Sequence, residues 1–360
     1  MRHLFLHIGT HKTGSTAIQH ALAANRKALS KSGYALIPRP EAARELVHSR
    51  SEDPLIVERM EEQFYSSLKL LDMRRVDAIV LSWEGFSGDH QRGYCNTATI
   101  AEALRKLATG FIVTVVVYIR RQDEFAESLY AQHIQYGHSH SFSEFLRQFD
   151  VSAFDWARLL QSYTGAFGRQ NVLARRYISP SGPTDTRLLD DFSKAIGLPF
   201  VLSLPGKTLR NPSMNRQALE LARLANPYMS TEERRFLREI LQQSSTRSFD
   251  DSLGFFTDQG RQDFLEQYAS SNASVQADFF SDTGDLFPRI EEARQSSGGF
   301  EADPGPVLAK IVRFLQANGA NKLYPSMRPN LRQYASERLA RFPRLRRISR
   351  SLARLFRLYS

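Results

Sequence analysis

The sequence predicts an α/β fold in which a central parallel sheet lies between layers of helices, with a helical extension towards the C-terminus. Three observations predict it. The apolar segment Leu4, Phe5, Leu6 and Ile8 passes through a glycine-bearing turn into a helix-like stretch at 17–29, so a strand, a loop and a helix follow one another directly. Two later apolar runs, Ala78 to Leu81 and Phe111 to Ile119, are continuous rather than alternating, as strands buried on both faces of a parallel sheet are. Segments of helical period separate these runs.

The first loop, His7-Ile8-Gly9-Thr10-His11-Lys12-Thr13-Gly14-Ser15-Thr16, carries the chemistry. Two glycines five apart let the backbone turn without Cβ clashes, so successive N–H groups and the positive end of the helix dipole converge on an anion. The spacing from Gly9 to Gly14 reproduces the G-x-x-x-x-G part of a Walker A loop, but Ser15 stands where the Walker lysine belongs and the lysine lies inside the loop as Lys12. The expectation is a three-layer fold of P-loop type whose loop binds phosphate but does not suit an ordinary NTPase. His11-Lys12-Thr13-Gly14-Ser15-Thr16 resembles the 5′-phosphosulfate loop of sulfotransferases that use 3′-phosphoadenosine-5′-phosphosulfate (PAPS), especially the bacterial carbohydrate-directed type.

Further along, 33–38 reads as a short strand ended by proline, and 54–73 carries a helical period through Ile56, Met60, Phe64, Leu68 and Leu71. The run Ala78 to Leu81 delivers Ser82, Trp83 and Glu84 to a strand's carboxyl end, where ligands sit in open α/β sheets. A helix is expected over 96–108 with Thr97 as one possible cap, and 111–119 is the strongest strand, expected at the centre of the sheet. Helices follow at 154–167 and 185–196, with a strand at 171–177 between them. The connector 199–212 holds Lys207 and Arg210, both open as donor contacts; helices are then expected at 213–225, 231–243 and 257–271.

The central strand empties into Arg120-Arg121-Gln122-Asp123, with Ser128 eight residues after Arg120. This resembles the 3′-phosphate signature of PAPS sulfotransferases, in which arginine and serine together hold the nucleotide's 3′-phosphate. A guanidinium fork suits a phosphate because it donates paired, charge-assisted hydrogen bonds. Arg121-Gln122 departs from the acid and proline common in eukaryotic members. The resemblance covers roughly 1–200 and implies a sulfotransferase core there with a helical cap at 201–295; composition marks a linker and helix at 296–325 and a basic amphipathic tail at 326–360.

What the resemblance implies chemically is sulfuryl transfer from PAPS to an acceptor hydroxyl on a carbohydrate or glycolipid. A sulfuryl group carries less negative charge than a phosphoryl group, so a lysine and backbone amides suffice where a kinase adds magnesium. No metal is called for, and 78–81 brings no Walker B aspartate. Lys12 is the catalytic residue that stabilises the leaving group, and His11, Thr13, Gly14, Ser15 and Thr16 complete the donor loop with Arg120 and Ser128. Glu84, at the end of the second core strand, is the candidate general base, with His90 as its rival. A P-loop phosphotransferase and a non-catalytic nucleotide-binding scaffold are the alternatives.

Composition is that of a globular protein, with 42% hydrophobic residues and one cysteine, Cys95, which excludes an internal disulfide and a Cys-rich zinc site. Met1 is followed almost at once by the first strand, with no room for a signal peptide, and no apolar run has the length of a membrane span, so a cytoplasmic protein is expected. Ten arginines against Glu337 give 326–360 a charge of +9 of the chain's +10. Apolar residues at helical spacing from Leu345 to Tyr359 make this tail a basic amphipathic helix, fit for an anionic membrane surface at the inner face, for a polyanionic acceptor, or for docking its apolar stripe on the protein body. Nucleic acid is not an expected partner.

Overall fold

The computed structural model describes residues 1–49, 53–180, 182, 184–204, 214–244 and 253–287. The tail 326–360, the linker 296–325, Lys207 and Arg210 lie outside the described residues. In chain order the elements are β1 (Arg2–His7), α1 (Ser15–Ala24), α2 (Arg26–Lys31), β2 (Tyr34–Leu36), α3 (Ala42–His48), α4 (Pro54–Lys69), β3 (Ala78–Ser82), α5 (Thr97–Leu107), β4 (Phe111–Ile119) and α6 (Gln122–Gln135). Then come α7 (Phe142–Gln148), α8 (Trp156–Phe167), β5 (Val172–Arg176), α9 (Arg187–Ala195), α10 (Arg216–Ala225), α11 (Thr231–Ser244), α12 (Asp258–Glu266) and α13 (Ala269–Phe279).

The described residues fall into two compact units. Those within Met1–Phe125, Gln148–Leu209 and Gln259–Arg294 form the first; those within Ala126–Arg147 and Arg210–Asp258 belong to the second. The first unit holds a five-stranded, all-parallel sheet in the order β2-β3-β1-β4-β5. The glycine loop therefore leaves the middle strand, and β4, expected at the centre, is its interior neighbour. On one face Phe5, Val80, Val116 and Tyr118 pack against Ile18 and Leu22 of α1, Leu29 of α2 and Phe192 of α9. On the other, α5 and α8 pack together and α8 lies on β4 and β5. This is the expected α/β arrangement of a parallel sheet between helical layers. The second unit, whose described elements are all helices, packs α10 against α11.

Several boundaries differ from expectation for local reasons. The stretch 17–29 breaks at Asn25, whose side-chain amide donates to the carbonyls of Ala21 (2.8 Å) and Ser203 (2.6 Å). Thr97 does not cap α5. It is the first helical residue, and its hydroxyl donates to the carbonyls of Ser87 and Tyr94 at 2.7 Å each. The single helix expected over 257–271 is two, α12 and α13, interrupted between Glu266 and Ala269. The helix expected from 154 begins at Trp156, because Asp155 accepts from the Arg158 N–H at 3.1 Å and sets the cap there.

Candidate active site

The glycine loop is built around left-handed backbone. Gly9 (φ 47°), Lys12 (φ 62°) and Gly14 (φ 77°) all lie at positive φ. A Cβ at Gly9 would collide with Ser15 Oγ, and one at Gly14 with Leu188 and Tyr177, so both positions require glycine for space as well as conformation. Lys12 adopts the same conformation with a side chain, which costs about 1–2 kcal/mol. The loop's hydroxyls hold it in shape: Thr10 Oγ1 donates to the Tyr118 carbonyl (2.8 Å), Thr13 Oγ1 to the Thr10 carbonyl (2.6 Å), and Ser15 Oγ reaches the same carbonyl at 3.5 Å. Gly14 caps α1 without a side-chain acceptor. No described residue accepts a hydrogen bond from the main-chain N–H of Lys12, Gly14, Ser15 or Thr16. These donors sit at the positive end of α1, an arrangement that receives an anion.

Arg120 comes to this loop. Its Nη1 donates to the Lys12 carbonyl at 3.2 Å, its guanidinium lies 5.2 Å from the Tyr177 ring centre, and its Nε contacts Glu124 at 3.2 Å. Trp156 holds the Arg120 main chain by donating to its carbonyl at 2.8 Å. Lys12 is exposed in area yet crowded enough that burial, then the Arg120 charge, lowers its pKa.

Arg121 has a different task. It pairs with Asp123 (2.6 Å), a fully buried carboxylate that Arg261 of α12 also contacts. Burial alone would raise the Asp123 carboxyl, but the two arginines outweigh it and hold it below the usual carboxylate range. Gln122 donates to the Phe154 carbonyl (3.3 Å) and to Asn272 (2.7 Å). The pair that departs from the eukaryotic signature thus anchors the strand–helix corner to neighbouring elements.

A second cluster lies beside the loop. The rings of His11 and His90 are 3.9 Å apart, and the Tyr94 hydroxyl is 3.2 Å from His11 Nδ1 and 3.4 Å from the His11 N–H. Tyr94 has φ 57° and, with Lys12, makes up the non-glycine residues at positive φ among those described. Both strained positions flank His11. Burial followed by the Lys12 charge pushes His11 down to about 4. Burial and the neighbouring His11 push His90 down to about 3, Lys12 adding to this and Asp89 opposing it. Both are neutral imidazoles at physiological pH. His90, read from sequence as the rival base, is half-buried against His11.

Glu84 follows β3 and begins a short 3₁₀ turn, where its Oε2 accepts from Gln19 Nε2 of α1 at 2.8 Å. The carboxylate is therefore tied to the helix that the glycine loop starts. Beneath the loop, His7 is fully buried at the end of β1, with Nδ1 2.7 Å from Ser82 Oγ across the ladder. Its Nε2 has no partner among the described residues, and burial holds the ring neutral, with a pKa pushed down to about 3.

No family model matches the chain. A protein of Archaeoglobus fulgidus, described as uncharacterized, is 25% identical over 239 residues, which span 63% of this chain and 65% of that protein. Among solved structures, a sulfotransferase from Alicyclobacillus acidocaldarius is similar with a TM-score of 0.38 and 13% identity, over 65% of this chain and 99% of that one.

Of the residues expected in the site, His11 through Thr16 form the loop, Arg120 contacts it, and Glu84 is bonded to α1. Ser128 is half-buried in the part of α6 that belongs to the second unit. Sequence reasoning missed Tyr94 and Gln19, and no spacing signal pointed to either.

Proposed function

We propose that the protein is a PAPS-dependent sulfotransferase acting on a hydroxyl of a carbohydrate or glycolipid. The observation that supports this best is the Arg120 guanidinium at the Lys12 carbonyl, because it joins the two stretches read as 5′- and 3′-phosphate motifs. The loop's unpaired N–H groups suit the 5′-phosphosulfate, and Arg120 suits the 3′-phosphate. Ser128 enters this reading from the sequence motif alone.

In this reading the acceptor oxygen attacks sulfur in line with the bond to the 5′-phosphate. The sulfur–oxygen bond to the phosphate breaks, a new one to the acceptor forms, and adenosine 3′,5′-bisphosphate leaves. Lys12 and the loop amides stabilise the charge that builds on the leaving phosphate. Glu84 takes the acceptor's proton, with Gln19 fixing the orientation of its carboxylate. Neutral His90 is the other group able to accept that proton. The sequence-based division into core, cap, linker and tail is part of the same proposal, as are a cytoplasmic location and attraction of the basic tail to an anionic inner membrane face. Among the described residues no helix is long and apolar enough to cross a membrane.

The test is incubation with radiolabelled PAPS and fractionated glycans and glycolipids, followed by mass spectrometry of labelled products. Label on a sugar hydroxyl supports the proposal. Transfer of phosphate from ATP with magnesium in its place favours the phosphotransferase alternative.

A further inference from the structure

The second unit contains three histidines whose side-chain nitrogens converge. His133 is in the last turn of α6, and His138 and His140 follow in the loop that leads to α7. One nitrogen from each lies within 4.8 Å of the others, and the pair His133 Nε2 and His140 Nδ1 is 3.4 Å apart. Two imidazole nitrogens bound to one tetrahedral zinc ion, each at about 2.05 Å, stand about 3.3 Å from one another. Two of the three ligands are thus already at coordinating separation.

We infer that His133, His138 and His140 form a binding site for one divalent transition-metal ion of the zinc class. The loop that carries them is held by its main chain, and the side-chain contact between His133 and His140 is one that the ion replaces. Asn226 donates to the carbonyls of Ile134 (2.8 Å) and His138 (2.7 Å), Tyr130 donates its hydroxyl to the His140 carbonyl (3.0 Å), and the His138 N–H bonds back to the His133 carbonyl (3.3 Å). Gly137, at φ 102°, makes the reversal that brings 138 and 140 back over 133. The His138 ring stacks on that of His133 with centres 3.7 Å apart, and because His138 is exposed a side-chain rotation suffices to turn its nitrogen to the ion. With three neutral nitrogen ligands and no carboxylate in the set, the site selects zinc, cobalt, nickel or copper over magnesium or calcium. A water completes the fourth position on the solvent side. The bound ion ties the end of α6 to the loop that follows.

The test uses tag-free, full-length protein stripped with a chelator and titrated calorimetrically with zinc chloride. Expected is one ion per chain, with X-ray absorption of the zinc-loaded protein showing nitrogen ligands at about 2.0 Å in imidazole geometry. His138→Ala, which removes an exposed ligand and leaves the fold in place, lowers affinity by about tenfold or more. His20→Ala, on the exposed face of α1, leaves it unchanged. Absence of saturable zinc binding, or binding of the same strength in a folded His138→Ala protein, overturns the inference.

Discussion

Arg120 donates from Nη1 to the main-chain carbonyl of Lys12 across 3.2 Å, so the residue that ends β4 is bonded to the left-handed residue of the glycine loop. Its neighbour Arg121 turns the other way, into the buried carboxylate of Asp123. Adjacent arginines thus face different partners, one the loop carbonyl and the other a buried carboxylate.

That division predicts different failures. Arg120→Ala should lower affinity for adenosine 3′,5′-bisphosphate by about 1.5–3 kcal/mol through loss of a charge-assisted contact, with little change in thermal stability. Arg121→Ala leaves a buried carboxylate short of one partner and should cost about 3 kcal/mol of folding stability. Denaturant titration and calorimetry on both variants separate the effects. Equal loss of stability in the two would show that Arg120 is structural as well.

Lys12→Gly is expected to raise stability by about 1 kcal/mol, because glycine adopts φ 62° without penalty. Donor binding and turnover should fall in the same variant. Strain retained at a lysine is understandable if its ammonium is needed where the loop puts it. Unfolding curves paired with binding measurements check this. A variant that loses both stability and binding would contradict it.

Glu84→Gln should reduce turnover while nearly keeping donor affinity, since the carboxylate is tied to Gln19 and not to the loop amides. His90→Gln should have the smaller effect on turnover, because a ring pushed down to about 3 is a weak base. Single-turnover rates decide between them. A larger loss in His90→Gln would move the base to the imidazole.

Stability should fall on acidification below about pH 6.5. His7, His11 and His90 have folded pKa values depressed to about 3, about 4 and about 3, so between those values and the ordinary 6.5 the unfolded chain binds more protons than the folded one. Unfolding is therefore favoured as pH falls through that window, and above it the three groups contribute no slope. Thermal melts from pH 8 to 5 should show the decline, and His90→Gln should flatten it. A flat profile in the native protein would contradict the burial of these rings.

Much of the fold was legible because the signals were local. Continuous apolar runs at 78–81 and 111–119 marked buried parallel strands, and the glycine spacing marked the loop. What escaped depended on distant partners. Asn25 breaks a helix by bonding to Ser203, and Thr97 donates to Ser87 rather than capping α5. His11, His90 and Tyr94 meet only because β1 and β3 are paired side by side, so that the segment after β3 returns to the loop; no spacing along the chain announces this. The place of Arg120 at the end of a strong strand was readable from the sequence, whereas the anchoring task of Arg121 needed Arg261 of α12, far along the chain.

The most direct measurement is calorimetric titration of the intact protein with adenosine 3′,5′-bisphosphate, adenosine 5′-monophosphate, and ATP with magnesium. The account predicts that the bisphosphate binds without metal and more tightly than the monophosphate, and that Arg120→Ala erases the difference between them. Equal binding of the two by the native protein, or stronger binding of magnesium–ATP, would contradict a donor site built from the glycine loop and Arg120.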